Sequence, residues 1–312
     1  MTNPTCHICG SSSRFLLTKD GYSLYQCPKC RLVFVSPQPS GDFLASKVYS
    51  KGSGYQGHKP KDLSQVTLTK AYAKVFSYLN NEGIKGKLLD IGCSNGEFLY
   101  PAKLRGFEVR GVELNPYTSE IARDNGLEVF TGTLSDARSK PGFEEESFDV
   151  IFLGDLIEHV GDPRALLVEC QSLLAPNGKI IISTPNLDCF WARATFALHK
   201  LLKIPWSSVT PPHHLFQFSR GNLITLMSQC GLGYETTWYN RRPSLFYERG
   251  QTHLVREWRA RKGLKKLFFG IYMAVSLSLY AIFYYLADLI GLFVIKKDFG
   301  MVVVAAKRAV VA

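Results

Sequence analysis

The sequence predicts an α/β chain built on a doubly wound sheet, with a small cysteine-rich module ahead of it. Three observations carry that prediction. Short apolar runs alternate with helix-period patterns from residue 88 to residue 183, the signature of strand–helix–strand units. The stretch "DIGCSNG" (90–96) sets small residues at the turn between the first run and the first helical pattern. Four cysteines crowd into the first thirty residues and mark the N-terminus as a unit of its own. With 312 residues, 46% of them apolar, the chain can bury one large domain and a small one.

In chain order, Cys6-x2-Cys9 and Cys27-x2-Cys30 come first, with 17 residues between the pairs. This is the knuckle spacing of a structural zinc ribbon over residues 1–35, in which two turns each offer two thiolates to one Zn2+. Disulfide pairing is the alternative, disfavoured in a reducing cytoplasm. His7 is a bystander between ligands, and Cys93, Cys170, Cys189 and Cys230 are isolated packing residues. Residues 36–63 are rich in Gly, Pro, Ser, Tyr and Lys and read as a linker. Residues 64–82 carry apolar positions at helical spacing and end in Asn-Asn-Glu-Gly, a stop signal. Strands follow at 88–91, 108–113, 127–131, 148–153 and 179–183, and helices at 96–105, 119–125 and 163–174. A sheet wound this way binds its ligand beyond the carboxyl ends of its central strands.

That places "DIGCSNG" where backbone amides can meet a cofactor. A nicotinamide-type fingerprint would have a third glycine near position 97, and Glu97 stands there. Asp90 would set a carboxylate beside pyrophosphate oxygens, so a zwitterionic cofactor fits better. Glu113, ending the second strand, is placed to accept hydrogen bonds from ribose hydroxyls.

The segments "LLDIGCSNGEFL", "VRGVELNP", "FDVIFLGDLIEHVGDP" and "LLAPNGKIIISTPN", in that order, resemble class I S-adenosylmethionine-dependent methyltransferases, and the resemblance covers residues 64–308. It implies a seven-stranded sheet and S-adenosylmethionine as cofactor. It also implies a cofactor site at Asp90, Gly92, Cys93, Ser94, Gly96, Glu113, Leu114, Asn115, Gly154 and Asp155. The family's Gly-x-Gly-x-Gly stands here as Gly92-x-Ser94-x-Gly96. Thr133 replaces an acid that often contacts the adenine, which leaves that role to backbone groups of Thr133 and Leu134 or to Asp136.

The knuckles, linker, domain and "PPHHLFQFSRGNLITLMSQCGL" together resemble a subgroup associated with polysaccharide, sugar or lipid-linked metabolism. The implied reaction is methylation of an O or C atom of a small glycan-related or lipid-linked acceptor. Two other readings stand beside it: a ubiquinone-type O-methyltransferase, and a non-catalytic zinc-bearing scaffold at a membrane. Displacement at a sulfonium needs alignment above all, and a base only where the acceptor is a hydroxyl or an activated carbon. His214 and His159 are the candidate bases, each with a structural alternative, helix capping for His214 and loop orientation for His159 with Glu158. The divalent ion linked to a similar Glu–His surrounding in ubiquinone-type enzymes is not expected, since positions 154 and 155 are Gly and Asp.

The net charge of +11 is not arranged as a basic stripe with interleaved aromatics, and no Asn/Asp-Pro-Pro-Tyr/Phe-like segment follows the fourth strand, so no nucleic acid partner is expected. "MTNPTCHICG" lacks an apolar core, which points to the cytoplasm. Residues 241–266 hold nine Lys or Arg against two Glu, and 267–295 is almost wholly apolar. In the resembled family the last strand, here "GMVVVAAKR", runs antiparallel between the fifth and sixth. The apolar insertion (264–297) therefore has to return to the side it left. The expectation is a helical hairpin resting in one leaflet, its feet Lys265, Lys266, Lys296 and Lys297 facing anionic headgroups, which makes the enzyme peripheral on the cytoplasmic face. A buried helical cap or a homo-oligomer interface is the alternative.

Overall fold

The structure, a computed structural model, describes residues 3–44, 46, 61–240, 245–293 and 299–308. It opens with an antiparallel meander, β1 (Arg14–Lys19), β2 (Tyr22–Gln26) and β3 (Val33–Val35), whose flanking turns carry the four cysteines. Each turn is tight and closes on a cysteine carbonyl: Gly10 N–H donates to Cys6 O and Arg31 N–H to Cys27 O, both at 3.0 Å. Of the expected linker, 45 and 47–60 lie outside the described residues. The rest holds the short helix α1 (Gly41–Phe43), capped by Ser40, and a single turn at Leu63–Gln65, capped by Asp62.

The main domain follows as α2 (Lys70–Asn81), β4 (Lys87–Ile91), α3 (Leu99–Leu104), β5 (Glu108–Glu113), α4 (Pro116–Asp124), β6 (Val129–Thr131), α5 (Leu134–Ala137), β7 (Phe148–Gly154), α6 (Pro163–Leu173) and β8 (Leu174–Pro185). Beyond these come α7 (Phe190–Leu202), β9 (Phe216–Gln217), α8 (Arg220–Gln229), β10 (Leu232–Asn240), α9 (Leu245–Gly250), α10 (Leu254–Ala260), α11 (Gly263–Phe293) and β11 (Gly300–Lys307). Seven strands form one sheet in the order β10-β11-β8-β7-β4-β5-β6. The pairs β4–β5, β5–β6, β4–β7 and β7–β8 are parallel, whereas β11 lies antiparallel to both β8 and β10. The winding reverses between β4 and β7, so the crevice opens at their carboxyl ends.

Both sheet faces are buried, and the strand sequences alternate between two cores. Leu89, Ile151, Leu153, Ile180 and Ile182 point to one, and Leu88, Val150, Phe152 and Ile181 to the other. Helix boundaries follow capping chemistry. Helix α2 begins at Lys70 rather than 64 because Thr69 Oγ1 accepts the Tyr72 N–H at 3.2 Å and supplies its N-cap. Helix α4 begins three residues earlier than expected, since Asn115 caps it and Pro116 sits at its first position, where no N–H is needed. Asp162 and Pro163 start α6 in the same way.

The cysteine module is joined to the main domain. Strand β3 pairs antiparallel with β9, Phe34 opposite Phe216, and Cys6, Ile8, Cys27, Leu32 and Phe34 belong to the same apolar core as Ile151 and Ile182. His7 is packed edge-on against Phe34 and Phe216, at 5.2 and 4.9 Å.

The apolar insertion differs from the expected hairpin. Its described part is the single helix α11, 31 residues and about 46 Å long at 1.5 Å per residue, while Lys296 and Lys297 lie outside the described residues. The return is made differently: α9 and α10 precede α11, and α11 runs back antiparallel to α7. Tyr272 Oη, early in α11, donates to Leu202 O at the end of α7 at 3.0 Å, whereas Tyr280 and Tyr284, later in α11, pack on Trp191 at the start of α7, at 5.1 and 5.4 Å. The hairpin is thus α7 with α11, and only one of its legs lies in the apolar run.

Candidate active site

The carboxyl ends of β4, β5 and β7 border a cleft of about 640 Å³. The first turn, after β4, is shaped by residues in left-handed conformations, Gly92 (φ +76°), Ser94 (φ +52°) and Gly96 (φ +89°). A Cβ at Gly96 would stand 2.3 Å from Leu127 Cδ1, so this glycine lets the loop lie against the chain that leads into β6. Glu113, ending β5, clamps the turn: its Oε2 accepts the Ser94 N–H at 2.8 Å and its Oε1 the Asn115 N–H at 2.7 Å. A carboxylate offers about four acceptor positions, which leaves capacity toward the cleft.

Four carboxyl groups, Asp90, Glu97, Glu113 and Asp155, line the cleft, and no Lys or Arg does so among the described residues. Asp90 is 3% exposed; burial and the charge of Glu113 raise its pKa well above the usual carboxylate range. Burial, with the charges of Asp90, Asp155 and Glu97, likewise raises Tyr72 and keeps it a phenol. The opposite wall is aromatic, with Phe98 and Phe152 stacked at 3.9 Å and Tyr72 edge-on to Phe98 at 5.2 Å. An acidic pocket with an aromatic wall suits a cationic ligand and repels a pyrophosphate.

Beyond β7, a buried group completes the cleft. His159 Nδ1 lies 2.6 Å from His213 O and so carries the ring proton, leaving Nε2 as the acceptor nitrogen. Glu158, 1% exposed, accepts the Thr184 hydroxyl on Oε2 at 2.9 Å and holds Oε1 3.9 Å from His159 Nε2. The His214 ring stands perpendicular to that of His159 at 4.8 Å. Burial lowers the His159 pKa to about 4, so the imidazole is neutral at pH 7, and burial with Asp155 raises Glu158. One ligand atom from each of Glu158, His159 and His214 lies within 4.8 Å of the others, close enough for one cation to bridge.

Of the residues expected at the cofactor, Asp90, Gly92, Cys93, Ser94, Glu113, Leu114, Asn115, Gly154 and Asp155 line the cleft. Gly96 stands behind the turn. Thr133 and Leu134 are not among the lining residues: Thr133 Oγ1 and N–H both donate to Asp136 in the capping box of α5, and Leu134 is buried in the core. His159 lines the cleft, and His214 stands beside it, outside the lining residues. Tyr72, Asn95, Phe98, Thr118 and Leu156 also form the walls and were not predicted. Tyr72 carried no separate signal, since a Tyr in a helical apolar pattern reads as core.

The cysteines form the second cluster. Cys6 Sγ and Cys30 Sγ are 3.4 Å apart, as are Cys9 Sγ and Cys27 Sγ, and all four sulfurs lie within 4.8 Å of one another without a disulfide. Tetrahedral thiolates about 2.3 Å from an ion are roughly 3.8 Å apart, so the set fits one Zn2+.

A family model described as a methyltransferase domain matches residues 63–237. The chain belongs to that family. This methyltransferase is 31% identical over 168 residues to the ubiquinone biosynthesis O-methyltransferase of Cereibacter sphaeroides, a match covering 52% of this chain and 55% of that one. It is 27% identical over 190 residues to the protein of the same name from Pasteurella multocida, covering 53% and 78%. The chain spans about half the length of the first of these relatives. A solved S-adenosylmethionine-dependent methyltransferase from Archaeoglobus fulgidus aligns with 76% of this chain and 93% of its own, at 17% identity and a TM-score of 0.48. The chain thus carries a methyltransferase domain, which favours an enzyme over the scaffold reading. The cleft, acidic and without Lys or Arg among the described residues, fits a cofactor whose sulfonium and amino groups are both positive.

Proposed function

We propose that this methyltransferase alkylates a hydroxyl oxygen of a small acceptor, with His159 as the base that removes the hydroxyl proton. The names of its relatives, ubiquinone biosynthesis O-methyltransferases, favour oxygen and a small acceptor of that kind over the glycan-related or lipid-linked one. The single observation that carries the assignment is His159 itself. It lines the cleft beside Asp155, and its Nδ1–H is committed to His213 O, so Nε2 is the nitrogen left to accept a proton.

S-adenosylmethionine, when bound, supplies the methyl group on a sulfonium carbon. Asp90 would face its positive charge, Glu113 would accept from its ribose hydroxyls, and the Gly92 turn would admit it to the backbone. The cofactor would supply the methyl group for in-line displacement by the acceptor oxygen, and His159 Nε2 would take up the hydroxyl proton. Glu158 and His214 are positioning residues, fixing the ring from the side and the edge. Cys6, Cys9, Cys27 and Cys30 hold a structural Zn2+ away from the chemistry.

The test is methyl transfer from isotopically labelled S-adenosylmethionine to hydroxylated quinone precursors, with sugars and amines alongside. His159→Gln should lower kcat by about 10²–10⁴ with cofactor affinity unchanged, and the deficit should shrink at high pH as the acceptor ionises unaided. Full kcat in His159→Gln, or label found on nitrogen or on a sugar, would overturn the assignment.

A further inference from the structure

Helix α11 buries one face and leaves the other uncovered. Ser276, Tyr280, Tyr284 and Ala287, three or four residues apart, are buried toward α7. On the opposite side Leu264, Phe268, Ile271, Val275, Ile282 and Leu289 are all more than half exposed at the same helical spacing. The stripe from residue 264 to 289 is about 38 Å long, more than a small ligand can cover. Near the N-terminal end of the stripe, where Tyr272 meets Leu202, the tip of α7 adds Leu201, 79% exposed, beside Lys200 and Lys203. Lys262 and Lys265 are exposed at the start of α11, with no carboxylate in ion-pair range among the described residues.

We propose that the uncovered face of α11, with the tip of α7, docks the enzyme on an anionic lipid bilayer, the helix lying in the membrane plane. Charge decides between occupants. An apolar stripe with lysines gathered at one end complements acyl chains under negative headgroups. A second copy would bring another chain of net charge +11 onto the same lysine-rich surface. Helix α11 is long and apolar enough to cross a bilayer, but packing favours the membrane plane, since Tyr280 and Tyr284 pack on Trp191 and Tyr272 is bonded to α7. Helices α7 and α11 also rise from the edge of the sheet that bears the cleft: β11 starts at Gly300 opposite Pro185, at the end of β8. The docked enzyme therefore holds its cleft close to the lipid. The inference stands apart from the choice of acceptor and base.

Co-sedimentation of the full chain tests it, using phosphatidylcholine vesicles with and without about one-third phosphatidylglycerol. Binding should favour the anionic vesicles and weaken in high salt without vanishing. Lys262→Glu with Lys265→Glu should cost about 25-fold or more, at about fivefold per charge. Phe268→Ser with Ile271→Ser should release the protein while zinc content and S-adenosylmethionine affinity stay at wild-type values, which excludes misfolding. No vesicle binding by wild type overturns the proposal, as does binding indifferent to Phe268 and Ile271. A dimer that these two substitutions dissociate assigns the face to a second copy. Resistance to alkaline extraction would mean a spanning helix and is equally fatal.

Discussion

Glu113 acts twice with one carboxylate, clamping the turn after β4 through the amides of Ser94 and Asn115 and facing the cleft between them. Glu113→Ala should weaken S-adenosylmethionine binding by about 1.5–3 kcal/mol, the range of a hydrogen bond to a charged group, and calorimetric titration reads this directly. His159 makes a different prediction. Its folded pKa of about 4 lies below the ordinary histidine value of 6.5, so as pH falls through that window the unfolded chain takes up a proton that the folded chain refuses. Stability from this residue is therefore intact above about pH 6.5 and lost progressively toward pH 4, by about 3 kcal/mol in all. Denaturant unfolding of wild type should show this acid loss beyond that of His159→Asn; identical pH profiles would refute it. Asp90, Glu113 and the glycine turn, which do line or shape the cleft, were legible in the sequence because they stand where the strand patterns of β4 and β5 end. Tyr72 and Thr118 were not, for they reach the cleft from α2 and α4 only after those helices pack. Thr133 and Leu134 stand outside the cleft lining, and Thr133 with Asp136 forms the capping box of α5, a use that a Thr followed three residues later by Asp also signals.

At the scale of elements, the cysteine knuckles should hold one zinc per chain, since four convergent thiolates and two tight turns form a tetrahedral site. Metal analysis of Cys27→Ser with Cys30→Ser should find that zinc lost; full retention would remove the site assignment. The strands were the most legible elements, because β4 and β7 carry adjacent apolar residues buried toward both faces, although β5 reads Glu-Val-Arg-Gly-Val-Glu. Helix starts shifted wherever a cap outweighed periodicity, as at Thr69 and Asn115. The long apolar run was ambiguous for a physical reason. Composition records that 267–295 is apolar all round but not which side α7 will cover. The antiparallel last strand was sound, and the hairpin drawn from it was not, because the leg that α11 packs against is α7, which lies outside the apolar run.

Across the whole molecule, the cysteine module and the active site are joined by a short run of hydrogen bonds. Strand β3 pairs with β9, and Val35 N–H donates to Leu215 O at 2.9 Å. Leu215 and Phe216 in turn donate their N–H groups to Glu158 O at 2.8 and 3.1 Å, and the preceding residue pair supplies His213 O to His159 and the His214 ring beside it. A metal held by the knuckles would thus fix β3, and β3 with β9 would fix the loop that orients His159, the base proposed above. A module tied on this way cannot melt alone without uncovering Phe34 and Phe216, both fully buried in the common core. Calorimetry should therefore show one unfolding transition for module and domain together, and Phe34→Ala should cost about 3–5 kcal/mol of the whole. Removing zinc with a chelator should lower kcat while S-adenosylmethionine affinity changes little, because Asp90 and Glu113 hang from β4 and β5 on the far side of the cleft from the module. Two separate transitions, or a zinc-free enzyme with full kcat, would mean that the module merely rests on the domain and that the path through β9 carries no constraint to His159.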